Sequence, residues 1–252
     1  MKRILFFLYG IICYVSFLVT FTYAIGFISN ILVPTSLDAA PQVPFMEALL
    51  INSGLLTLFA LQHSIMARKG FKKWWTRYVP EPIERSTYVL LSNLCLVAMF
   101  VYWQPMGGTI WAIENASAQM FIHGLATFGW IVVFISTFLI SHFDLFGLRQ
   151  VWFYLRGEAY QPLAFNVPYF YKYVRHPLYF GFLTAFWATP MMTVAHFIFA
   201  LACTGYILVA IQLEERDLTQ HFGDHYTEYK KQVPMLVPKI KASGSSEAAA
   251  EA

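Results

Sequence analysis

Ionisable side chains stand at the ends of long apolar runs that are far apart in the sequence. The residues concerned are His63, Glu84, Arg85, His142, Asp144, His176, Glu214 and Glu215. Burying such a group is costly unless it is paired or faces water. If the apolar runs are helices of one bundle, their ends meet at one face. We therefore expect a pocket at that face, lined by titratable groups that could do chemistry.

A His-Pro motif within Tyr173–Gly181 indicates a ligand site at the start of a helix. Pro177 suits the first turn of a helix, where its missing N–H is not needed, and it favours an extended conformation for His176. The free amides that follow can hold an anionic group. Gly181 allows a ligand or a neighbouring helix to approach the backbone closely.

A pair of adjacent carboxylates, Glu214 and Glu215, follows the last apolar run. Two adjacent residues do not share a face of a helix. We therefore expect one carboxylate to turn towards a cationic ligand, while the other pairs with Arg216 or faces water.

The apolar runs predict an all-α, polytopic membrane bundle. A helical span takes ~20 mostly apolar residues, and 58% hydrophobic against 12% charged residues excludes a soluble protein. A fifth region, Leu178–Leu213, is too long for one span and contains Pro190, which predicts a hairpin of Leu178–Thr189 and Ala195–Leu213 with its turn near Met191–Val194. The four preceding spans are Ile4–Val33, Phe45–Ile65, Thr87–Trp103 and Gln119–Phe143.

The cations predict six crossings with both termini in the cytoplasm. All 17 Lys and Arg lie in alternate connections or at the termini, and the loops Pro34–Pro44 and Gln104–Ala118 contain none. The first run is much longer than the core of a signal peptide, so we read it as a retained span. The net charge of +3 is small, and the cationic residues lie on one side of the membrane instead of forming a separate basic stripe. This distribution argues against nucleic-acid binding. Residues 1–241 are expected to form one membrane-embedded domain, and 242–252 a disordered tail or an expression remnant.

The C-terminal motifs, taken together, resemble those of the isoprenylcysteine carboxyl methyltransferase superfamily, which includes NnrU-related proteins. The residues that carry this resemblance are Arg175–Gly181 (RHPLYFG), Glu214, Glu215, Phe222, Gly223, Tyr226, Tyr229, Val233 and Pro234. The first half narrows the resemblance to its bacterial methanethiol S-methyltransferase branch. The segments concerned are Gln62–Arg68, Trp74–Arg77, Glu84–Tyr88 and Ser141–Gln150.

The resemblance implies an S-adenosylmethionine (SAM)-dependent enzyme of the bacterial cytoplasmic membrane, without a Rossmann domain. It implies methanethiol as acceptor, dimethyl sulfide as product, membrane lipids as surroundings and a SAM-binding half at about 145–241; it indicates no oligomeric state. By the matching motif positions, the cofactor contacts are Val174, His176, Tyr179, Gly181, Glu214, Glu215 and Tyr226. A carboxylate among them would hold the amino group of the methionine moiety.

Methylation of a thiol also requires a thiolate, since a simple alkyl thiol is mostly protonated at neutral pH. Histidine is the usual general base near neutrality, so His63 and His142 are the candidates. Asp144 or Glu84 could orient the ring, and Arg85 could stabilise the developing thiolate or pair with a carboxylate. The sequence does not choose between the two histidines.

Three other interpretations remain open at this point. One is a methyltransferase acting on a prenyl-cysteine carboxylate or another lipid acceptor, which needs a tunnel facing the lipid. Another is a non-enzymatic, NnrU-like haem or electron-transfer protein with His63 and His142 as axial ligands. The weakest is a metal pair of His221 and His225, because Gly223 lies between them and no third ligand is evident.

Overall fold

The computed structural model describes residues 1–163 and 167–237, so the predicted tail 242–252 lies outside the described residues. The elements, in chain order, are α1 (Lys2–Ser29), α2 (Phe45–Ala67), α3 (Lys69–Trp75), α4 (Glu81–Tyr102), β1 (Thr109–Ala112), α5 (Ala116–Ile140), α6 (His142–Leu145), α7 (Leu148–Arg156), a 3₁₀ turn (Tyr169–Lys172), α8 (Pro177–Trp187), β2 (Met191–Thr193), α9 (Val194–Phe222) and α10 (Asp224–Gln232).

Five helices, α1, α2, α4, α5 and α9, are long and apolar enough to cross a membrane. Between 11% and 39% of each apolar window is buried inside the protein, so most of its side chains face outward. In water such a surface would be strongly unfavourable, whereas a lipid hydrocarbon environment accepts it. The predicted all-α, polytopic membrane bundle is therefore confirmed.

The helix boundaries differ from the ends of the apolar runs for two reasons. Some polar residues beside a run are still helical, and one helix ends early because its backbone changes conformation. Helix α4 begins at Glu81 instead of Thr87, since its first turn is charged but carries Pro82 near the start. Helix α5 ends at Ile140, because Ser141 has a φ of 150°. Helix α9 continues past Leu213 to Phe222, so the Glu-Glu pair is helical.

The predicted hairpin is made of a short helix and a long one. Helix α8 has 11 residues, about 17 Å, which is less than the ~30 Å of hydrocarbon. Its start lies near Glu215 and its end near His196, at opposite ends of α9. The turn between them is β2, which pairs antiparallel with β1 from the α4–α5 connection. The sequence did not predict these two strands.

Helix α8 packs closely on α5 through two glycines. A Cβ on Gly129 would lie 2.8 Å from the carbonyl oxygen of Gly181, and a Cβ on Gly181 would lie 2.7 Å from that of Gly129. Small residues at such a crossing allow two membrane helices to touch along their backbones. This contact fixes where the His-Pro motif stands relative to the rest of the bundle.

A buried polar cluster joins the first loop to the start of α9. His196 contacts Asp38 at 3.0 Å through Nδ1 and the carbonyl oxygen of Phe186 at 2.9 Å through Nε2. Asp38 also accepts hydrogen bonds from Asn30 and Thr193. Both oxygens of Asp38 and both ring nitrogens of His196 therefore have partners within the protein. The contact between His196 and Asp38 joins the first loop to α9 at the end of the bundle opposite to the cationic loops.

Candidate active site

His63 stands on the inner side of α2 near its cationic end. The Tyr88 hydroxyl lies 2.9 Å from Nε2 and 3.0 Å from Nδ1, and Ser92 Oγ lies 3.2 Å from Nδ1. The Phe59 ring stacks on the imidazole with centroids 5.1 Å apart. The ring is therefore held by two hydroxyls of α4 and one aromatic face, an arrangement that orients it without a carboxylate.

Two charged residues of α4 stand within one helical turn of Tyr88, which contacts this ring. The Arg85 guanidinium lies over the Tyr88 ring at 4.8 Å and donates from Nε to the carbonyl oxygen of Leu145 at 2.7 Å. Glu84 is 8% exposed, and its Oε1 has no hydrogen-bond partner among the described residues. Arg85 therefore ties α6 to the His63 site, while Glu84 lies one helical turn before Tyr88.

Helix α9 closes the site from the other side. Tyr206 accepts a hydrogen bond from Ser64 at 3.2 Å, and its ring lies 6.4 Å from that of Phe59. Tyr179 of α8 interacts electrostatically with both Tyr206 and Tyr88. Tyr179 of α8 therefore lies near Tyr206 and near Tyr88, which contacts His63, so that residues of α2, α4, α8 and α9 are brought together.

Glu215 forms a buried ionic centre beneath the His-Pro motif. Its side chain is 9% exposed and contacts Arg175 at 2.7 Å, Lys230 at 3.0 Å and His176 at 3.0 Å. Three donors on one carboxylate satisfy its charge within the protein. The expected pairing of a carboxylate with Arg216 is absent from the ion pairs of the described residues, and Arg216 is exposed.

Glu214 has a different environment from its neighbour. It accepts a hydrogen bond from the Tyr179 hydroxyl at 3.0 Å, lies 3.9 Å from His176 Nδ1, and its side chain is 44% exposed. Compared with Glu215, it has few partners and an open side. Glu214 is thus the carboxylate that can still meet a cationic ligand.

The C-terminal motif residues form one unit with the His-Pro motif. The backbone N–H groups of Arg175 and His176 donate to the carbonyl oxygens of Pro234 and Met235 at 2.9 and 3.2 Å. The Tyr229 hydroxyl donates to the carbonyl oxygen of Tyr171 at 2.7 Å. These contacts explain physically why the two distant motifs belong together.

Comparison with known proteins adds to this geometry. A methanethiol S-methyltransferase of Crocosphaera subtropica is 57% identical over 92% of this chain and 91% of its own. A protein of the same name from Mycobacterium tuberculosis is 49% identical over 94% of this chain and 98% of its own. The chain belongs to the methanethiol S-methyltransferase family. Nurim of Bos taurus is more distant, at 30% identity over 72% of each chain. No family model and no solved structure matches.

Membership of the methanethiol S-methyltransferase family confirms the resemblance seen in the motifs. It also settles the choice between an enzyme and a non-enzymatic haem protein in favour of a methyltransferase. The structure agrees with this choice, since His63 and His142 have different neighbours. His63 faces Tyr88 and Ser92 on α4, whereas His142 faces Tyr14 on α1.

His142 is fully engaged within the protein. Thr137 donates its hydroxyl proton to the carbonyl oxygen of Phe134, so it accepts from Nδ1 of His142 at 2.8 Å. Nε2 then accepts from the Tyr14 hydroxyl at 2.8 Å, and the ring stacks on Phe138 with centroids 4.2 Å apart. Burial lowers the pKa of the His142 ring. This is the environment of a neutral packing residue.

In the described part of the chain, the Asp144 carboxylate contacts neither His63 nor His142. It pairs with Arg149 at 3.2 Å and accepts from the Tyr160 hydroxyl at 2.7 Å. Burial, and then the hydrogen bond to Asp144, raises the pKa of Tyr160 to about 12. The carboxylate therefore fastens the segment after α7 to α6, on the cationic side of the pocket.

The other predicted cofactor residues are buried structural neighbours of the ionic centre. Val174 is 3% exposed and donates its N–H to the carbonyl oxygen of Phe170. Tyr226 of α10 is 2% exposed, and burial raises its pKa. Gly181 packs directly against Gly129 of α5. Their roles towards the cofactor remain predictions.

Sequence reasoning missed several residues that complete the site. Tyr88 and Ser92 follow Glu84 at helical spacings of four, which places all three on one stripe of α4. Arg175 precedes the His-Pro pair, but its partnership with Glu215 was not predicted. The helix break at Gly223, with φ of 57°, places His221 and His225 on different helices, and no metal-binding group of three ligands is found in residues 1–163 and 167–237.

Proposed function

We propose that the protein transfers the methyl group of SAM to a small thiol, methanethiol, in a pocket at the cationic end of the bundle. The observation that carries this proposal is a pair of hydrogen bonds made by two tyrosines. The Tyr88 hydroxyl lies 2.9 Å from the His63 ring, and the Tyr179 hydroxyl donates to the carboxylate of Glu214 at 3.0 Å. A base for the thiol and a site for the cofactor's ammonium group thus lie on one pocket. The names of the bacterial relatives support methanethiol as the acceptor.

The two glutamates differ in their surroundings, and this difference suits the binding of SAM. Glu215 is satisfied by three protein side chains, Arg175, Lys230 and His176, whereas Glu214 is partly exposed and hydrogen-bonded by Tyr179. Glu214 would therefore hold the ammonium group of the methionine moiety, and Glu215 would hold the His-Pro segment in place. When bound, SAM supplies a methyl group on a cationic sulfur, which is electrophilic without further activation.

The protein's own chemical task is to provide a thiolate in the correct place. His63 accepts the thiol proton, while the hydroxyls of Tyr88 and Ser92 hold the ring. The guanidinium of Arg85 lies over Tyr88 and favours negative charge nearby. The aromatic side chains of the site exclude water and align the two sulfur atoms for in-line displacement.

The direct test of the proposal is an assay of the purified protein in detergent with SAM and methanethiol. S-Adenosylhomocysteine and dimethyl sulfide should form in equal amounts. Formation of neither product from an intact preparation, with methylation of a prenyl-cysteine carboxylate instead, would refute the small-thiol acceptor.

The cofactor site predicts that Glu214→Gln weakens SAM binding by about 10- to 100-fold, or ~1.4–2.8 kcal/mol, because an ionic hydrogen bond becomes a neutral one. Calorimetric titration with SAM measures this change. Glu228→Gln on the exposed side of α10 is the matched control and should bind like wild type. Wild-type affinity in the Glu214 variant would place the ammonium group elsewhere.

We further propose that the cationic face is cytoplasmic and that the membrane is the bacterial cytoplasmic membrane. The positive-inside rule and the bacterial relatives support this orientation. Single cysteines at Gln42 and Glu114 should react with an impermeant reagent from outside the cell, and those at Lys73 and Arg156 should not. Asp38 is unsuitable for labelling because it lies in a buried ion pair. Labelling of a cysteine at position 73 from outside the cell would show that the orientation is the opposite of the one proposed.

A further inference from the structure

Glu84 is a buried carboxylate that the site described so far does not use. Its side chain has no ion pair within 4 Å in the described part of the chain, and Oε1 has no hydrogen-bond partner there. Burying an ionised carboxylate without a direct partner is costly. Such a group is therefore retained for a reason other than stability.

The position of Glu84 relates it to His63. Glu84, Tyr88 and Ser92 lie at successive spacings of four on α4, so they share one stripe of that helix. Tyr88 and Ser92 are the two residues that contact His63. Glu84 interacts electrostatically with the Tyr88 hydroxyl. It is thus placed one turn, about 5.4 Å of helix axis, from the residue that holds the ring.

The charges around this stripe are mainly positive. Arg85 acts electrostatically on His63 and on Lys72 of α3, and burial together with Arg85 lowers the pKa of Lys72. Arg68 of α2 is paired with Asp217 of α9 at 2.8 Å. Asp144 of α6 also acts on Lys72, but it is bound by Arg149 and Tyr160. The tyrosines of α8 and α9 that face the stripe are Tyr179 and Tyr206.

We propose that Glu84 is a positioning residue that supplies the negative charge opposing Arg85, so that His63 can accept a proton. The inference rests on the proposed function and adds an electrostatic role outside the cofactor site. In the reaction the S–H bond of the thiol breaks and its proton moves to His63. The thiol sulfur then bonds to the methyl carbon of SAM, and the electron pair of the broken carbon–sulfur bond stays on the sulfonium sulfur, which becomes neutral.

The charge of Glu84 matters because the imidazolium forms near Arg85. In Glu84→Gln, Arg85 opposes the new positive charge on His63 without a nearby negative charge, so protonation of the ring requires a lower pH. The acid limb of the kcat/KM profile reports that protonation. In Glu84→Gln we expect the limb to move to lower pH by about one unit, and turnover on the plateau to fall about 3- to 10-fold because the base is weaker.

The experiment compares pH profiles of methanethiol methylation between about pH 5 and 9. Glu81→Gln, at the exposed start of the same helix, is the control and should keep the wild-type limb. Glu84→Asp retains the charge and should restore most of the profile. A Glu84→Gln protein whose limb stays at the wild-type pH would overturn the inference, even if its turnover falls, since a purely structural role lowers activity without moving the limb.

Arg85 offers an independent test if Glu84→Gln does not fold. Arg85→Met removes the opposing cation, so the limb should move to higher pH, opposite to the effect of Glu84→Gln. Lys73→Met, an exposed cation on the same side of the protein, is its control. An unmoved limb in folded Arg85→Met would also contradict the inference. Failure of the wild-type enzyme to methylate thiols refutes the proposed function itself, whereas unmoved limbs in an active enzyme refute only the role of Glu84.

Discussion

Replacing His63 by alanine is expected to lower turnover by ~10²–10⁴ while SAM affinity stays nearly unchanged, the usual scale for loss of a general base. The reason is that the ring is held by Tyr88 and Ser92 of α4, whereas the proposed SAM contacts lie on α8 and α9. Initial rates at saturating SAM, together with calorimetric SAM affinities, measure the two effects separately.

Raising the pH should partly rescue His63→Ala, because more of the thiol enters as thiolate and needs no base. The matched variant is His142→Ala, whose ring is bonded by Tyr14 and Thr137 in an aromatic cluster. That variant should lose thermal stability and show no selective rescue at high pH. If His63→Ala keeps near-wild-type turnover at every pH, His63 is not the base, and Arg85 becomes the candidate for stabilising the thiolate.

Removing the Arg175 guanidinium is expected to destabilise the C-terminal unit by about 3–5 kcal/mol and to abolish SAM binding. The side chains of Arg175 and Glu215 are 10% and 9% exposed, so Arg175→Met leaves a buried carboxylate with two of its three side-chain partners, Lys230 and His176. The same guanidinium also donates to the carbonyl oxygens of Lys230 and Val233. Its loss would therefore release the segment after α10 as well.

Thermal unfolding in detergent, limited proteolysis near α10 and SAM titration together test this prediction. The exposed pair of Arg156 and Glu158 is the control, since Arg156→Met should change none of these measurements appreciably. A stable Arg175→Met protein that binds SAM like wild type would show that Glu215 does not anchor the cofactor site.

The amino-acid sequence alone determined the membrane architecture of this protein. Long apolar runs and one-sided cations depend on the hydrophobic thickness of a bilayer and on charge at its surface, which act locally along the chain. Motif spacing also predicted the start of α8, since Pro177 restricts His176 whatever surrounds it. The sequence likewise placed both candidate bases at span ends near one face.

Only the tertiary structure decided the different surroundings of the two members of each candidate pair. His63 and His142 both stand at span ends, but the backbone break at Ser141 places His142 against Tyr14 of α1. Glu214 and Glu215 are adjacent, yet only Glu215 meets Arg175 and Lys230. Such choices depend on the rotation of each helix about its axis. That rotation is set by contacts with helices distant in the sequence, among them the Gly129–Gly181 crossing, and no local pattern contains it.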